Sequence, residues 1–227
     1  MIWIIISSVL VFILSIWIGK KRPIKLYQIT ARGFFLFIIG ASFTLLIMRI
    51  VNDLGFISDH LAAAILTNTY SCIGGILFGA AYDIYSLKQK AGKLEYSNKN
   101  LVTDIIPSLL AVTLLILSFA RTGIFNELPI TPIRVSSAIS ILSLGVLIIT
   151  LSVVPEFKKK GIVIIDQMIE WKALTSYKWV SEETIEIEYE MNDTIKVYQT
   201  IIPTSDQVRV EKLLNGKMME KLETEDD

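Results

Sequence analysis

The stretch VSSAISILSLGVLIITLSVVPEFKKKGIVII, Val135–Ile165, contains the change of pattern that determines the fold. Its first part, residues 135–154, is continuously apolar and long enough to cross a hydrocarbon core, which takes about 20 helical residues. Three lysines follow, and beyond Lys160 apolar residues alternate with polar ones. The stretch therefore predicts a membrane-spanning helix that is followed by a separate, water-exposed module.

The composition of the whole chain agrees with this division. The chain has 227 residues, of which 52% are hydrophobic, and its mean hydropathy is +0.56. These values lie outside the range of soluble globular proteins. The formal net charge is zero, which argues neither for nor against a nucleic-acid partner. We expect no nucleic-acid partner for a membrane protein of this kind. The single Cys72 and the single His60 exclude an intrachain disulfide and a multi-histidine metal site. We expect no metal, no cofactor and no catalytic residue.

Four further apolar stretches match the length of a membrane span, which gives a membrane α-helical bundle of five transmembrane helices. Together they form a predicted transmembrane domain over residues 1–157. The predicted spans are residues 2–18, 33–51, 61–82, 101–120 and 135–154.

Lysine and arginine alternate between the loops of this bundle. The loops after the first, third and fifth spans are rich in these residues, and the loops after the second and fourth spans are poor in them. Basic loops stay in the cytoplasm. We therefore expect a multi-pass protein of the cytoplasmic (inner) membrane, with the N-terminus outside and the C-terminus inside. The basic residues are Lys20, Lys21, Arg22, Lys25, Lys88, Lys90, Lys93, Lys99 and Lys158–Lys160.

The third span carries the features of a packing helix. Gly75 and Gly79 stand four residues apart, a spacing that lets two helix backbones approach closely. Asn68 is expected to find a partner on another helix, because an unpaired amide in hydrocarbon is costly. These residues predict either a central helix of the bundle or an oligomer interface.

A polar path along the third span is the alternative. Tyr70 and Ser71 follow Asn68 directly, and Asp104 lies at the start of the fourth span. Acids inside a membrane are often functional. Asp104 also fits a simpler role as the cap of its helix at the cytoplasmic interface.

Residues 158–222 predict a small cytoplasmic α+β module of antiparallel strands and a C-terminal helix. The clearest strand is residues 183–191, in which Ile185, Ile187, Tyr189 and Met191 alternate with glutamates. A turn at Asn192–Asp193 leads back into residues 194–202, and a helix begins near Ser205 with Val208, Val210, Leu213, Leu214 and Met218 mostly inward. Three shorter strands are predicted over residues 162–165, 168–171 and 176–180, and residues 223–227 form an acidic tail.

The spacing in this module resembles a known family. The residues that match are Lys160, Gly161, Ile162, Ile169, Trp171, Leu174, Tyr177 and Trp179. Over about the last 65 residues they resemble the bacterial domain-of-unknown-function 5673 family, which is similar in style to bacterial pleckstrin-homology-like (PH-like) domains. The resemblance implies a small sheet capped by a helix and implies no activity. A region of this length is expected to be too short for a complete seven-stranded barrel.

Two sets of residues in the module are candidates for binding. Trp171, Tyr177 and Trp179 either build the small core or line a groove for a partner. Lys158, Lys159 and Lys160 are expected to anchor the last span at anionic lipid, at about 1 kcal/mol each.

These observations leave two functional hypotheses. The first is a non-enzymatic membrane protein whose PH-like module interacts with a protein partner, with a second copy or with lipid. The second is a small transporter, channel or membrane-immunity component with a polar path along the third span. An enzyme is not expected, because His60 falls on the outer side of the membrane and the acids Asp83 and Asp104 fall on the cytoplasmic side.

Overall fold

The computed structural model describes residues 2–21, 31–98, 100–126, 128–152, 154–191 and 193–225. Several side chains within these ranges are not described, most of them in residues 31–45. Three of the predicted loop cations, Arg22, Lys25 and Lys99, also lie outside the described residues. The chain forms two compact units. The helical unit comprises residues 1–84 and 106–151, and the second unit comprises residues 85–105 and 152–227.

Five long α-helices are found among the described residues of the first part of the chain. They are α1 Ile2–Lys21, α2 Ala31–Asp53, α3 Asp59–Lys90, α4 Ile106–Thr122 and α5 Pro132–Thr150. A π-helical turn, Leu101–Ile105, precedes α4. Helix α5 begins with proline at its first position and with Thr131 as its cap, whose hydroxyl accepts from the Arg134 amide at 3.4 Å.

Within the described residues, four segments are long and apolar enough to cross a membrane: Ile2–Lys21, Asp59–Lys90, Val102–Thr122 and Pro132–Thr150. They correspond to the first, third, fourth and fifth predicted spans, although the last helix ends at Thr150 and not at residue 154. The chain is therefore a multi-pass membrane protein. The second predicted span, residues 33–51, falls within α2. Many of the α2 side chains lie outside the described residues, and its crossing of the membrane stays a prediction.

Small residues and hydroxyls bring the helices of this unit together. A Cβ on Gly145 would lie 3.3 Å from the Ala111 carbonyl oxygen, so α5 packs closely on α4. Between the same two helices, the Ser118 hydroxyl donates to the Ala138 carbonyl oxygen at 2.8 Å. The Ser140 hydroxyl joins α5 to α3 by donating to the Tyr70 carbonyl oxygen at 2.5 Å. Hydroxyl bonds of this kind are a common source of adhesion between helices in lipid.

Among its described residues, the second unit contains seven strands in two antiparallel sheets. The first sheet has the order β1–β2–β3–β4 and the second has the order β5–β6–β7. Helix α6, Gln207–Glu225, follows the last strand. The strands are β1 Leu94–Ser97, β2 Glu156–Lys158, β3 Gly161–Ile164, β4 Gln167–Glu170, β5 Leu174–Trp179, β6 Thr184–Met191 and β7 Thr194–Ile201.

The predicted strands of the module correspond to β3–β7, and the structure adds two strands to them. The first sheet gains β2 from residues just before Lys158 and β1 from the connection between α3 and α4. The second unit therefore includes residues 85–105 and 152–157, which precede the predicted module of residues 158–222. Its strand count reaches seven because a distant piece of chain contributes one strand.

The local ends of the strands have identifiable causes. Ile165 has φ 53, which ends β3 and opens the tight turn into β4. Trp171 begins a 3₁₀ turn, where the prediction has it ending a strand. In the predicted hairpin turn Asp193 has φ 57, a conformation that Asp and Asn adopt most readily. The other turn residue, Asn192, lies outside the described residues.

The core of the second unit lies between the two sheets and α6. Ile185, Ile187 and Tyr189 of β6 are buried, as the alternation predicts, and Met191 packs against them partly buried. Helix α6 adds the buried Val210 and Leu214, with Leu213 and Met218 partly buried at its edge. The prediction is wrong for Val208, which is 77% exposed at the start of the helix.

Candidate functional site

A cluster of buried charges stands where the last residues of α3 meet β2. The Glu156 carboxylate lies 3.1 Å from the Lys88 ammonium and 3.3 Å from the Lys158 ammonium. The Ser152 hydroxyl donates to the same carboxylate and also accepts from Lys88 at 2.6 Å. The Lys158 ammonium in turn donates to the Lys88 carbonyl oxygen at 3.1 Å. This carbonyl is in the last turn of α3, where helix carbonyls lack partners within the helix.

The environment of Glu156 holds it in the charged form. Burial alone raises the pKa of this carboxyl, but the hydrogen bond from Ser152 and the charges of Lys88 and Lys158 outweigh burial. The net result is a pKa below the ordinary value. The cluster is therefore a satisfied ionic contact between one carboxylate and two ammonium groups, arranged to hold two segments of chain together.

This geometry corrects the predicted role of Lys158. Its side chain is buried, with a relative exposure of 9%, and its ammonium is engaged inside the unit. A buried ammonium cannot reach a lipid headgroup. Lys159 and Lys160 are exposed, so the predicted lipid anchor is reduced to these two residues.

Side-chain contacts, in addition to the backbone pairing with β2, hold strand β1 to the rest of the unit. The Tyr96 ring stacks edge-on against Phe157, with ring centroids 5.7 Å apart. Its hydroxyl donates to the Asp206 carboxylate at 3.1 Å. Burial, followed by the bond to Asp206, raises the pKa of Tyr96 well above its ordinary range. At the ends of the strand, Arg209 donates to the Glu95 carbonyl oxygen and Asn98 to the Ile201 carbonyl oxygen.

Trp171 lies in the core of the module. Its ring is 9% exposed and packs beside Phe157, with centroids 6.4 Å apart. The indole N–H donates to the carbonyl oxygens of Lys158 and Lys159, at 3.0 and 3.1 Å. Both the apolar body and the polar tip of the side chain are thus engaged within the fold. This placement matches a core residue and leaves little of the ring for a partner.

Tyr177 and Trp179 hold α6 against β5. The Tyr177 hydroxyl donates to the Asn215 side-chain oxygen at 2.7 Å. The Trp179 indole N–H donates to the Glu211 carboxylate at 2.5 Å. Burial and the nearby charge of Glu211 raise the pKa of Tyr177. Both rings are partly buried, so each retains an exposed edge at the junction of helix and strand.

The structure places the predicted packing glycines of α3 against α1. A Cβ on Gly75 would lie 2.6 Å from the Ser15 Cβ, and one on Gly79 would lie 2.9 Å from the Lys20 amide nitrogen. The expected interhelical partner of Asn68 is not found among the described residues. The side-chain nitrogen of Asn68 donates to the Ala64 carbonyl oxygen in its own helix at 2.9 Å. The buried side-chain oxygen of Asn68 has no partner among the described residues.

The residues of the predicted polar path are not brought together in one unit. Tyr70 and Ser71 are in the helical unit, whereas Asp104 is in the π-helical turn that belongs to the second unit. Ser71 lines a cavity of about 300 Å³ in the helical unit. The other lining residues come from α1, from α5 and from the connection before α5, and most of them are apolar. Among the described residues, no three His, Cys, Asp or Glu side chains are placed to hold a metal ion.

Comparison with known proteins identifies a family for the C-terminal part of the chain. Residues 154–219 match the family model Domain of unknown function (DUF5673). This match confirms the resemblance that rests on Gly161, Trp171 and Trp179. No family is found for the helical part. No curated protein matches the chain, and no solved structure matches it.

Sequence patterns did not predict strand β1 or the ionic cluster of Lys88, Glu156 and Lys158. The sequence "LEYS", Leu94–Ser97, alternates apolar and polar residues, which is a weak strand signal in so short a segment. Lys88 and Glu156 are separated by two membrane-length helices, and no local pattern relates them. The DUF5673 region thus depends on a strand and on a lysine that lie outside the matched residues.

Proposed function

We propose that the chain is a non-enzymatic, multi-pass protein of the cytoplasmic membrane whose PH-like DUF5673 region binds a protein or lipid partner. Its N-terminus is outside and its C-terminus is in the cytoplasm. The pairing of β1 with β2 is the observation that carries this proposal. It builds the binding module from two parts of the chain that are joined through membrane helices.

The pairing supports the topology. Strands β1 and β2 belong to one sheet, so they lie on the same side of the bilayer. Two membrane-length helices, α4 and α5, separate them in the chain, and two crossings return a chain to the side from which it started. The lysines of the α3–α4 connection and those after α5 favour the cytoplasm for that side.

The architecture of the second unit supports a PH-like binding role. Two antiparallel sheets of four and three strands, followed by a C-terminal helix, fit the style of fold that the resemblance implies. The acids Glu156 and Glu186 are in ion pairs with lysines, an arrangement that favours a structural role over proton transfer. The exposed edges of Tyr177 and Trp179 and the lysines Lys159 and Lys160 are the candidate contact residues.

Cysteine labelling tests the topology. In a Cys72→Ser background, Ser205→Cys in the second unit is expected to react with a membrane-impermeant maleimide only after permeabilisation. Leu128→Cys, in the exposed α4–α5 connection, is the matched control and is expected to react in intact cells. Labelling of Ser205→Cys from outside would overturn the proposed orientation.

Crosslinking and affinity capture from native membranes tests the binding role. The full chain is expected to recover a protein or lipid that Trp179→Ala loses. Trp17→Ala, which changes an exposed tryptophan of α1, is the matched control and is expected to keep it. Equal recovery with all three proteins would contradict the proposed role of the module.

The cavity beside Ser71 favours a second candidate, a small transporter, channel or membrane-immunity component. In this hypothesis Asn68, with its unsatisfied buried oxygen, contributes a polar group to the path. A solute flux into liposomes that is lower for Asn68→Leu than for the native chain would support the hypothesis. Equal flux for the native chain and Asn68→Leu would count against it.

A further inference from the structure

Two turns of the second unit bring four exposed lysines together. The first turn joins α3 to β1, and the second joins β2 to β3. The Lys159 amide donates to the Lys93 carbonyl oxygen, and the Lys160 amide donates to the Ala91 carbonyl oxygen, both at 3.0 Å. A Cβ on Gly92 would lie 3.3 Å from the Lys159 Cβ, so the two turns pack side by side. The lysine cluster that they form consists of Lys90, Lys93, Lys159 and Lys160.

The positive charge of the lysine cluster is not neutralised by described residues of the unit. None of its four lysines is in an ion pair with a described residue. The neighbouring Glu156 is buried between Lys88 and Lys158. Glu170, opposite the start of β3, is already paired with Lys172 at 2.8 Å. Since the whole chain has a formal net charge of zero, the cluster is a local concentration of positive charge.

The lysine cluster is attached directly to a membrane-length helix. Lys90 is the last residue of α3, and it follows Tyr82, where the predicted third span ends, by eight residues. This separation corresponds to about 12 Å of helix. The headgroup region extends about 5–7 Å beyond the hydrocarbon core. The remaining gap is shorter than the Debye length of about 8 Å, so the cluster lies within the electrostatic range of the headgroups.

We propose that the lysine cluster is one composite site for the phosphates of anionic phospholipid headgroups in the cytoplasmic leaflet. Lysine carries a compact charge on a flexible stem, which suits phosphates that move in a fluid bilayer. The two turns contain no aromatic residue on which a nucleic-acid base could stack. The site corrects the predicted lipid anchor, because Lys90 and Lys93 take the place of the buried Lys158.

This inference rests on the proposed function, since it uses the proposed orientation and names the lipid that one surface of the second unit contacts. It leaves the exposed edges of Tyr177 and Trp179 to a protein partner. If the lipid contact fails while capture through Trp179 persists, the present inference alone is removed. If capture fails while the lipid contact persists, the protein-binding role is removed and the lysine cluster stands.

Lysine labelling in nanodiscs tests the contact residue by residue. The full chain is placed in nanodiscs of phosphatidylcholine, either alone or mixed with phosphatidylglycerol, and mass spectrometry follows the acylation of each lysine by a water-soluble reagent. The anionic lipid is expected to slow labelling of the four cluster lysines by about fivefold, the factor that corresponds to the attraction of one lysine to an anionic surface. Lys178 and Lys212, which are exposed on β5 and α6, are the internal controls and are expected to keep their rates.

Inorganic phosphate distinguishes a lipid headgroup from a free anion. Phosphate added to nanodiscs of phosphatidylcholine alone is expected to leave the labelling rates unchanged. Protection by phosphate equal to that by phosphatidylglycerol would overturn the proposal and would assign the cluster to a soluble anion. Equal labelling of the cluster in both kinds of nanodisc, or a uniform decrease at every exposed lysine, would also overturn it.

Paired substitutions test whether the two turns act as one site. Lys159→Gln combined with Lys160→Gln is expected to return the labelling of Lys90 and Lys93 in anionic nanodiscs toward the rate in phosphatidylcholine. Lys178→Gln combined with Lys212→Gln removes the same charge outside the cluster and is expected to leave the protection unchanged. Protection of Lys90 and Lys93 that is the same in both double variants and the native chain would overturn the composite site.

Discussion

The Tyr96 ring, in the strand between α3 and α4, packs edge-on against Phe157 of β2, with ring centroids 5.7 Å apart. Tyr96 precedes two membrane-length helices in the chain, and Phe157 follows them. The contact therefore joins two segments that a simple division into membrane domain and C-terminal domain would separate. Since Phe157 is fully buried, the loop strand is part of the core of the module.

Shortening Tyr96 is expected to destabilise the module in two steps. Tyr96→Phe removes the bond to Asp206 and is expected to lower the free energy of unfolding by about 1 kcal/mol. Tyr96→Ala also removes the ring from Phe157 and is expected to lower it by about 3–5 kcal/mol. Pulse proteolysis in detergent micelles, following cleavage within residues 154–225, measures both changes. Equal stability of the native chain and Tyr96→Ala would contradict the assigned packing.

Removing the buried carboxylate is expected to leave two ammonium groups without their counter-charge. Glu156→Gln is predicted to lower the free energy of unfolding by about 3 kcal/mol, because Lys88 and Lys158 are both mostly buried. Glu170→Gln, which disrupts an exposed pair with Lys172, is the matched control and is expected to leave the free energy of unfolding almost unchanged. The same proteolysis assay compares them, and similar losses in both variants would count against the buried cluster.

The contribution of Glu156 is expected to depend on pH in the acid range. Its folded pKa lies below the ordinary value of 4.5, so its stabilisation is fully present above that value. The stabilisation is lost as the pH falls below 4.5 and through the folded pKa. The difference in unfolding free energy between the native chain and Glu156→Gln is therefore expected to be constant near neutral pH and to shrink in acid. A difference that grows in acid would be inconsistent with this sign.

The close contact of α1 with α3 is expected to tolerate no side chain at Gly79. A Cβ there would lie 2.9 Å from the Lys20 amide nitrogen, and a backbone atom cannot move aside alone. Gly79→Ala is predicted to lower stability by about 1–3 kcal/mol. Gly40→Ala in α2, where a Cβ meets nothing within 4 Å, is the control and is expected to be neutral or stabilising. Thermal unfolding in detergent distinguishes them, and an equally stable Gly79→Ala would refute the contact.

Local sequence patterns predicted the helices and strands of this protein better than they predicted the contacts between them. The apolar length of residues 61–82 was enough to identify α3, and the alternation from Ile185 to Tyr189 was enough to identify β6 and its buried face. Strand β1 could not be identified in the same way, because four residues carry little periodicity and their partner strand lies beyond α4 and α5.

The candidate binding residues show the same limit. A run of lysines predicts lipid contact from charge alone, but Lys158 is buried because Glu156 and the Lys88 carbonyl oxygen both engage its ammonium. Trp171 lies in the core cluster, where a small module needs large apolar side chains. Which edges of Tyr177 and Trp179 stay exposed depends on α6, and residue spacing within β5 does not contain that information.

Hydrogen–deuterium exchange of the full-length protein in nanodiscs tests most directly whether residues 94–97 are a strand of the module. If β1 is hydrogen-bonded in the sheet, the amides of this segment are expected to exchange as slowly as those of β2 and β3. Tyr96→Ala is expected to raise their exchange rate. Amides of Leu94–Ser97 that exchange in the native chain at the rate of an open loop would contradict the account.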